Sequence, residues 1–154
     1  MTLSLAEMTR AHAEGVASWR YEAPYDVYDP SEGAVEEYLA GGYLAVLDDG
    51  EVVGFVCLGD AARVPGGPPP DDAVTDVGIG VAPGRLSGRV GTTAGELALE
   101  TLRMSGLLRL RASVAEWNDR SVRLCLRLGF VPVGTFVHPR DAGTFVVLEC
   151  ELLD

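Results

Sequence analysis

The sequence has no lysine, only two histidines (His12 and His138) and three cysteines. The missing lysine is read as coding composition and given no functional meaning. Two isolated histidines give no basis for a histidine metal site or a histidine-centred triad. Cys57, Cys125 and Cys150 are odd in number and far apart, each within an apolar strand or helix pattern. Buried thiols are therefore expected rather than a disulfide, and no pair has metal-ligand spacing. No window approaches the ~20 apolar residues of a membrane span. The first five residues, Met-Thr-Leu-Ser-Leu, lack the basic start and apolar run of a signal peptide. A cytoplasmic protein with no membrane partner is expected.

Positive charge is also scarce. There are 23 acidic residues against 12 arginines, a net charge of −11, which argues against nucleic acid as a partner. The imbalance is uneven along the chain. Residues 1–83 hold 15 acids and 3 arginines, residues 84–127 hold 8 arginines and 4 acids, and residues 128–154 hold 4 acids and 1 arginine. A basic island thus sits inside an acidic chain. Around a helix N-terminus such an island suits a small polyphosphate ligand; the plainer reading is helix faces that happen to carry arginine. A length of 154 residues, 47% of them apolar and 23% charged, fits one folded domain over 1–154 with its own core.

In order, residues 2–8 read as a strand with Leu3 and Leu5 on one face. Thr9 is an N-cap for a helix through Trp19. Residues 21–30 are aromatic, acidic and broken by prolines, hence a loop. Ser31 is expected to cap a short helix to Ala40, with Glu32, Glu36 and Glu37 outside; Gly41 and Gly42 stop it. Residues 43–47 and 52–58 flank Asp48-Asp49-Gly50-Glu51 as a hairpin. Residues 59–72, rich in proline and glycine, form a stiff connection.

The stretch from Asp76 to Phe130 organises the rest. A strand over 76–81 runs through a turn, 84–91, into a helix over 92–105. A strand over 107–114 and a helix over 118–128 follow, closed by Gly129-Phe130. Strands over 131–137 and 144–153 complete the chain. A strand feeding a turn and then a helix N-terminus gathers free N–H groups at the positive end of the helix dipole, which is a ready anion site. The order is β-α-α-β-β-β-α-β-α-β-β. It predicts an α/β (α+β) fold: a mixed, mostly antiparallel sheet of about seven strands flanked by about four helices, with a right-handed central crossover.

Three features resemble the GNAT superfamily of acyl-CoA-dependent N-acyltransferases. They are the strand Asp76-Val-Gly-Ile-Gly-Val-Ala-Pro83 entering its turn and helix, the segment from Asn118 to Gly129-Phe130, and the element order over nearly the whole chain. Trp19, the Pro24-Tyr25-Asp26-Val27-Tyr28 loop and the segment from Ala62 to Gly67 resemble a bacterial branch of that superfamily. The resemblance implies splayed central parallel strands and acetyl-CoA as co-substrate, with no metal. Free backbone groups of Ile79, Gly80 and Val81 would pair with the pantetheine arm. Leu86, Ser87, Gly88, Arg89, Val90, Gly91 and Thr92 would wrap the pyrophosphate, while Asn118 would orient the arm or, by its own chemistry, cap its helix, and Ser121 would lie close beside the arm. An N–H near Val81 would polarise the acyl carbonyl. A primary amine of a small molecule or peptide would then attack directly. Tyr25, Asp26 and Tyr28 would border the acceptor. The last two strands leave room for a homodimer.

The sequence departs from the family pattern twice. In ungapped register Ser87 and Arg89 stand at the turn's glycine positions before Gly91; shifting by one fits Gly88 but puts Val90 on a glycine site. Arg85 and Arg89 are expected to add charge there. Cys125 stands where the family commonly has a tyrosine serving as the acid, so it is either the acid or a packing thiol. Asp76 is either the general base or a strand-end cap. The acidic residues of 22–37 are either a solvated surface or a lure for a cationic amine. The alternative function is a CoA-binding or small-ligand module without turnover.

Overall fold

In the computed structural model, which describes residues 2–86 and 88–152, seven strands form one sheet. The strands are β1 (Leu3–Glu7), β2 (Tyr43–Asp48), β3 (Glu51–Leu58), β4 (Thr75–Val81), β5 (Arg109–Ala115), β6 (Val131–Val137) and β7 (Thr144–Glu151). The helices are α1 (Arg10–Ala17), α2 (Ala34–Leu39), α3 (Val90–Met104) and α4 (Asp119–Arg127). The sheet order is β1-β2-β3-β4-β5-β7-β6. Only β4 and β5 run parallel. Element order and sheet type match the expectation. No helix among the described residues is long and apolar enough to cross a membrane.

Strand alternation sends neighbouring side chains to opposite faces. Ala45 joins Ala13, Val16, Ala34 and Tyr38 beneath α1 and α2. Its neighbour Val46 joins Val53, Val56, Val90, Ala94 and Ala98 beneath α3. A third cluster holds Leu102, Leu110, Phe130 and Leu148 together. Phe130 reaches it through the end of α4. Gly129 has φ +99, a conformation that a Cβ disfavours. It lets the Phe130 N–H turn back to the Cys125 carbonyl at 2.9 Å. The Gly-Phe pair is thus a helix stop that drives an aromatic ring into the core.

Several boundaries differ from the sequence reading. Thr9 does cap α1, accepting the His12 N–H, but the helix ends at Ala17 and not at Trp19. Ser31 does not cap α2. The helix starts after Gly33 at φ +85, with no side-chain cap, and the Ser31 carbonyl instead closes a turn with the Ala34 N–H. α3 starts at Val90, two residues early, because the buried Val90 side chain belongs to the core. Leu153 lies outside the described residues. Cys57 and Cys150 are buried, Cys125 is half-buried, and all three are free thiols. β6 forms one edge of the sheet and exposes Val131, Val133 and Val137.

Candidate active site

The site begins where the parallel pair fails. β4 and β5 pair only at Thr75–Leu110 and Asp76–Arg111, and have no further register. The Ala82 N–H donates to the Val53 carbonyl at 2.9 Å. Counting back through the antiparallel register, Gly80 and Gly78 direct their backbone groups to β3. Val77, Ile79 and Val81 direct theirs to the opposite edge, toward the gap. The gap is a cavity of about 760 Å³ whose lining includes Ile79, Gly80, Val81, Asn118, Ser121 and Cys125.

The N-terminus of α3 opens into the same cavity. The first intrahelical bond runs from the Thr93 N–H to the Arg89 carbonyl at 2.9 Å. The N–H groups of Val90, Gly91 and Thr92 therefore lack helix partners, and the Arg89 side chain caps none of them. Leu86, Gly88, Gly91 and Thr92 line the cavity. Arg89 is exposed and Val90 buried; neither side chain lines it, and Ser87 lies outside the described residues. Arg127 donates to the Thr92 hydroxyl at 2.9 Å, which fixes a guanidinium beside the helix end. Arg123 also lines the cavity, and neither it nor Arg89 has a protein partner among the described residues. Arg85 does not add charge here. It pairs with Asp48 at 3.0 Å and Glu51 at 3.5 Å, tying the turn to the β2–β3 hairpin.

Asn118 is buried and makes two contacts. Its side-chain oxygen accepts the Ser121 N–H at 3.1 Å, capping α4, and its Nδ2 donates to the Tyr28 hydroxyl at 3.1 Å. The loop that carries Tyr28 spans the mouth of the gap. At its other end the Tyr21 hydroxyl donates to the Val81 carbonyl at 2.6 Å. Burial pushes the Tyr21 phenol up to about 12, so it stays protonated and a donor. Tyr25 and Tyr28 pack on the exposed Trp117 at 5.6 and 5.9 Å between ring centroids, and the Arg120 guanidinium lies 4.8 Å over Tyr25. Tyr25 and Tyr28 both line the cavity; Asp26 is exposed and does not.

The two expected catalytic groups part company. Cys125 lines the cavity and also packs against the Phe130 cluster, so both readings of it hold geometrically. Burial, with Cys150 as a lesser cause, pushes its thiol up to about 11. It is a proton-bearing group at neutral pH and not a thiolate. Asp76 does not line the cavity. It is 4% exposed, and its carboxylate accepts Arg111 Nε at 2.7 Å, Arg111 Nη2 at 3.0 Å and Arg63 Nη1 at 3.2 Å. Arg111 also donates to the Pro69 carbonyl at 2.9 Å. Asp76 thus fastens the fork of β4 and β5 to the proline-rich connection. With both oxygens held by guanidinium groups and the side chain outside the lining, it is not placed to meet an acceptor. Asp119 is the one carboxylate that lines the cavity among the described residues, where no cluster of metal-ligating side chains occurs.

Sequence reading missed Tyr21, Trp19 and Phe55. Phe55 lies over Gly80, where a Cβ would sit 2.1 Å from the ring. It packs with Trp19 at 6.3 Å and with Tyr38 at 6.1 Å, and all three line the cavity. The signal was the Gly-x-Gly in β4, which marks a close approach without saying by what.

The Acetyltransferase (GNAT) family profile matches residues 11–130. Among curated proteins none matches the sequence. Among solved structures, an N-acetyltransferase from Staphylococcus aureus Mu50 superposes with a TM-score of 0.75 at 12% identity, over 99% of this chain and 100% of its own. A GNAT-family acetyltransferase from Bacillus anthracis gives 0.78 at 13% identity, over 99% and 96%. The aminoglycoside acetyltransferase AAC(6')-Ib, in complex with ribostamycin and coenzyme A, gives 0.76 at 19% identity, over 98% and 94%. At these identities the structural likeness is one of fold, and the sequence profile carries the family. A fork of parallel strands opening on a helix N-terminus that no described side chain caps, with the profile spanning both, places the chain in the GNAT acetyltransferase family.

Proposed function

We propose that the protein transfers an acetyl group from acetyl-CoA to a primary amine by direct attack. The observation that carries the reading is the fork itself: β4 parts from β5 after Asp76 and leaves a strand edge leading to the uncapped N-terminus of α3. A substrate with an extended amide-bearing arm and a pyrophosphate fits that edge and that helix end. Ile79 and Val81 supply backbone groups to the arm, with Gly80 between them. Gly91 and Thr92 offer N–H groups to the pyrophosphate, Gly88 leaves the turn open, and Arg123 and Arg127 supply charge. Asn118 and Ser121 border the arm on the β5 side.

The Val81 N–H, on the cavity edge of β4, polarises the thioester carbonyl. The amine nitrogen forms the new C–N bond as the C–S bond breaks, and the amine proton passes to water. Asp76 is given the structural part described above. A thiol at about 11 yields its proton only uphill to a leaving thiolate of reference pKa ~8.5. Cys125 therefore acts as a hydrogen-bond donor to the departing sulfur, which takes its final proton from solvent.

A second reading, a CoA-binding module without turnover, is favoured by Cys125 in place of a phenol and by the engagement of Asp76 with Arg111 and Arg63, which leaves Asp119 as the one carboxylate on the lining among the described residues. Titration with acetyl-CoA followed by thiol-release assays on amines separates the two. Micromolar binding with turnover supports the enzyme, micromolar binding without turnover on any amine supports the module, and no binding contradicts both.

A further inference from the structure

The acceptor side of the cavity carries a narrower message, which rests on the acetyltransfer reading. Along β4, Val81 and Ile79 turn their side chains to α3, where they pack on Val90 and Ala94. Gly78 and Gly80 present the other face, toward α1 and α2, with no side chain at all. The route to Val81 from that face runs over aromatic rings: Phe55 on Gly80, Trp19 and Tyr38 against Phe55, and Tyr21 at the Val81 carbonyl. Tyr25 and Tyr28 continue the surface to the mouth.

Carboxylates are missing from this wall, although the surrounding helices and loop are acidic. Glu22, Asp26, Asp29, Glu32, Glu36 and Glu37 all lie outside the lining. Asp29 turns to the Tyr21 N–H at 2.8 Å and Glu36 to Arg10 at 3.1 Å. Glu37 stands 3.4 Å from the Tyr43 hydroxyl. At the mouth the Arg120 guanidinium lies over Tyr25, and its neighbour Asp119 is the one carboxylate on the cavity lining among the described residues. An acceptor with several ammonium groups would find one carboxylate, Asp119, and leave the others desolvated without partners, which is costly. An amine on one flat apolar body gains ring-on-ring contact instead. The same desolvation lowers the pKa of its ammonium group and favours the neutral, nucleophilic form. That lessens the need for a carboxylate base on the aromatic wall, where none of the described residues places one.

We infer that the acceptor is a primary amine borne on a single flat apolar or aromatic group, with no second cationic centre, and that Phe55 and Trp19 set this preference. Two readouts on the full chain test it. Binding of phenethylamine, butylamine and spermidine is followed by tryptophan fluorescence, which needs no turnover. Thiol release from acetyl-CoA is followed with the same three amines. Phenethylamine is expected to bind at least tenfold more tightly than either of the others, and to give the highest kcat/KM by at least that factor. Phe55→Leu, checked for an unchanged melting curve, is expected to erase most of this preference while CoA affinity stays the same. Spermidine or butylamine binding as tightly as phenethylamine overturns the inference whatever the turnover. The expected order of binding without any acetyl-CoA affinity would leave the aromatic site standing and contradict the acetyltransfer reading alone.

Discussion

The Tyr21 hydroxyl donates to the Val81 carbonyl across 60 residues of sequence, at 2.6 Å. It closes the open end of β4 with a side chain from the α1–α2 loop, while Tyr28 of the same loop holds Asn118 on the opposite arm. The loop therefore spans the fork and sets its width at the point where the acyl carbonyl is proposed to lie. Replacing Tyr21 with phenylalanine removes one hydrogen bond, at a stability cost of about 1 kcal/mol. The expected result is a fivefold to tenfold fall in kcat/KM for the amine with CoA affinity unchanged, read from steady-state kinetics and calorimetry. An equal loss of CoA affinity would place the contact in cofactor binding instead.

Asp76 is expected to matter for stability more than for chemistry. Asp76→Asn leaves Arg111 buried and short of its partner, which costs about 3–5 kcal/mol. Thermal melting is expected to show a large loss. The double change Asp76→Leu with Arg111→Met is expected to recover part of it, since an apolar pair of similar size leaves no buried charge unpaired. A variant at Asp76 that melts normally but has lost turnover would restore the general-base role.

At Cys125 the expected effect is small. Losing a weak hydrogen bond to the departing sulfur lowers kcat by about threefold to tenfold in Cys125→Ala, with CoA affinity unchanged. The rate is expected to show no inflection from this thiol below pH 10, because burial holds it near 11. A thousandfold loss would mean that the thiol is an obligatory acid.

Gly91 tests the helix end. A Cβ there would lie 3.4 Å from Leu124 Cδ2 and 3.7 Å from Val81 Cγ2, so alanine fits and the fold is retained. The further methyls of Gly91→Val project into the space where the phosphates are placed. CoA affinity is expected to drop at least tenfold for valine and much less for alanine, with both melting within a few degrees of the parent. Equal affinity in all three would move the phosphate site away from α3.

Alkaline pH is expected to weaken the fold. Burial raises Cys57 to about 12 and Cys125 to about 11 from an ordinary 9.0. The native state therefore keeps protons that the unfolded chain sheds. Their contribution is complete below pH 9 and lost as pH rises through 11 to 12. The melting temperature is expected to fall across this range, and Cys57→Ala to flatten the fall. A pH-independent melting temperature up to 11 would contradict the buried-thiol assignment.

What the sequence made legible was local. Thr9 capping α1, Asn118 capping α4, and Gly129 turning Phe130 inward each act over a few residues, and each is visible as a residue type at a spacing. Together with the alternation of strands and helices they fix the element order and the position of the fork. The site contacts that escaped are long-range. Asp76 meets Arg111 at a separation of 35 residues and Arg85 meets Asp48 at 37, and composition cannot tell which arginine is consumed by a carboxylate and which faces the cavity. The acidic residues around α2 were visible too, but not that every one of them stays out of the cavity while aromatic rings take its wall.

Calorimetric titration of the purified chain with acetyl-CoA and with CoA at moderate salt shows whether the fork and the α3 end hold an acyl-CoA. Binding at micromolar or lower Kd, lost in Gly91→Val, is the expected result. No heat up to millimolar ligand at two temperatures would contradict the account, because the fork and the uncapped end of α3 would then hold no such substrate.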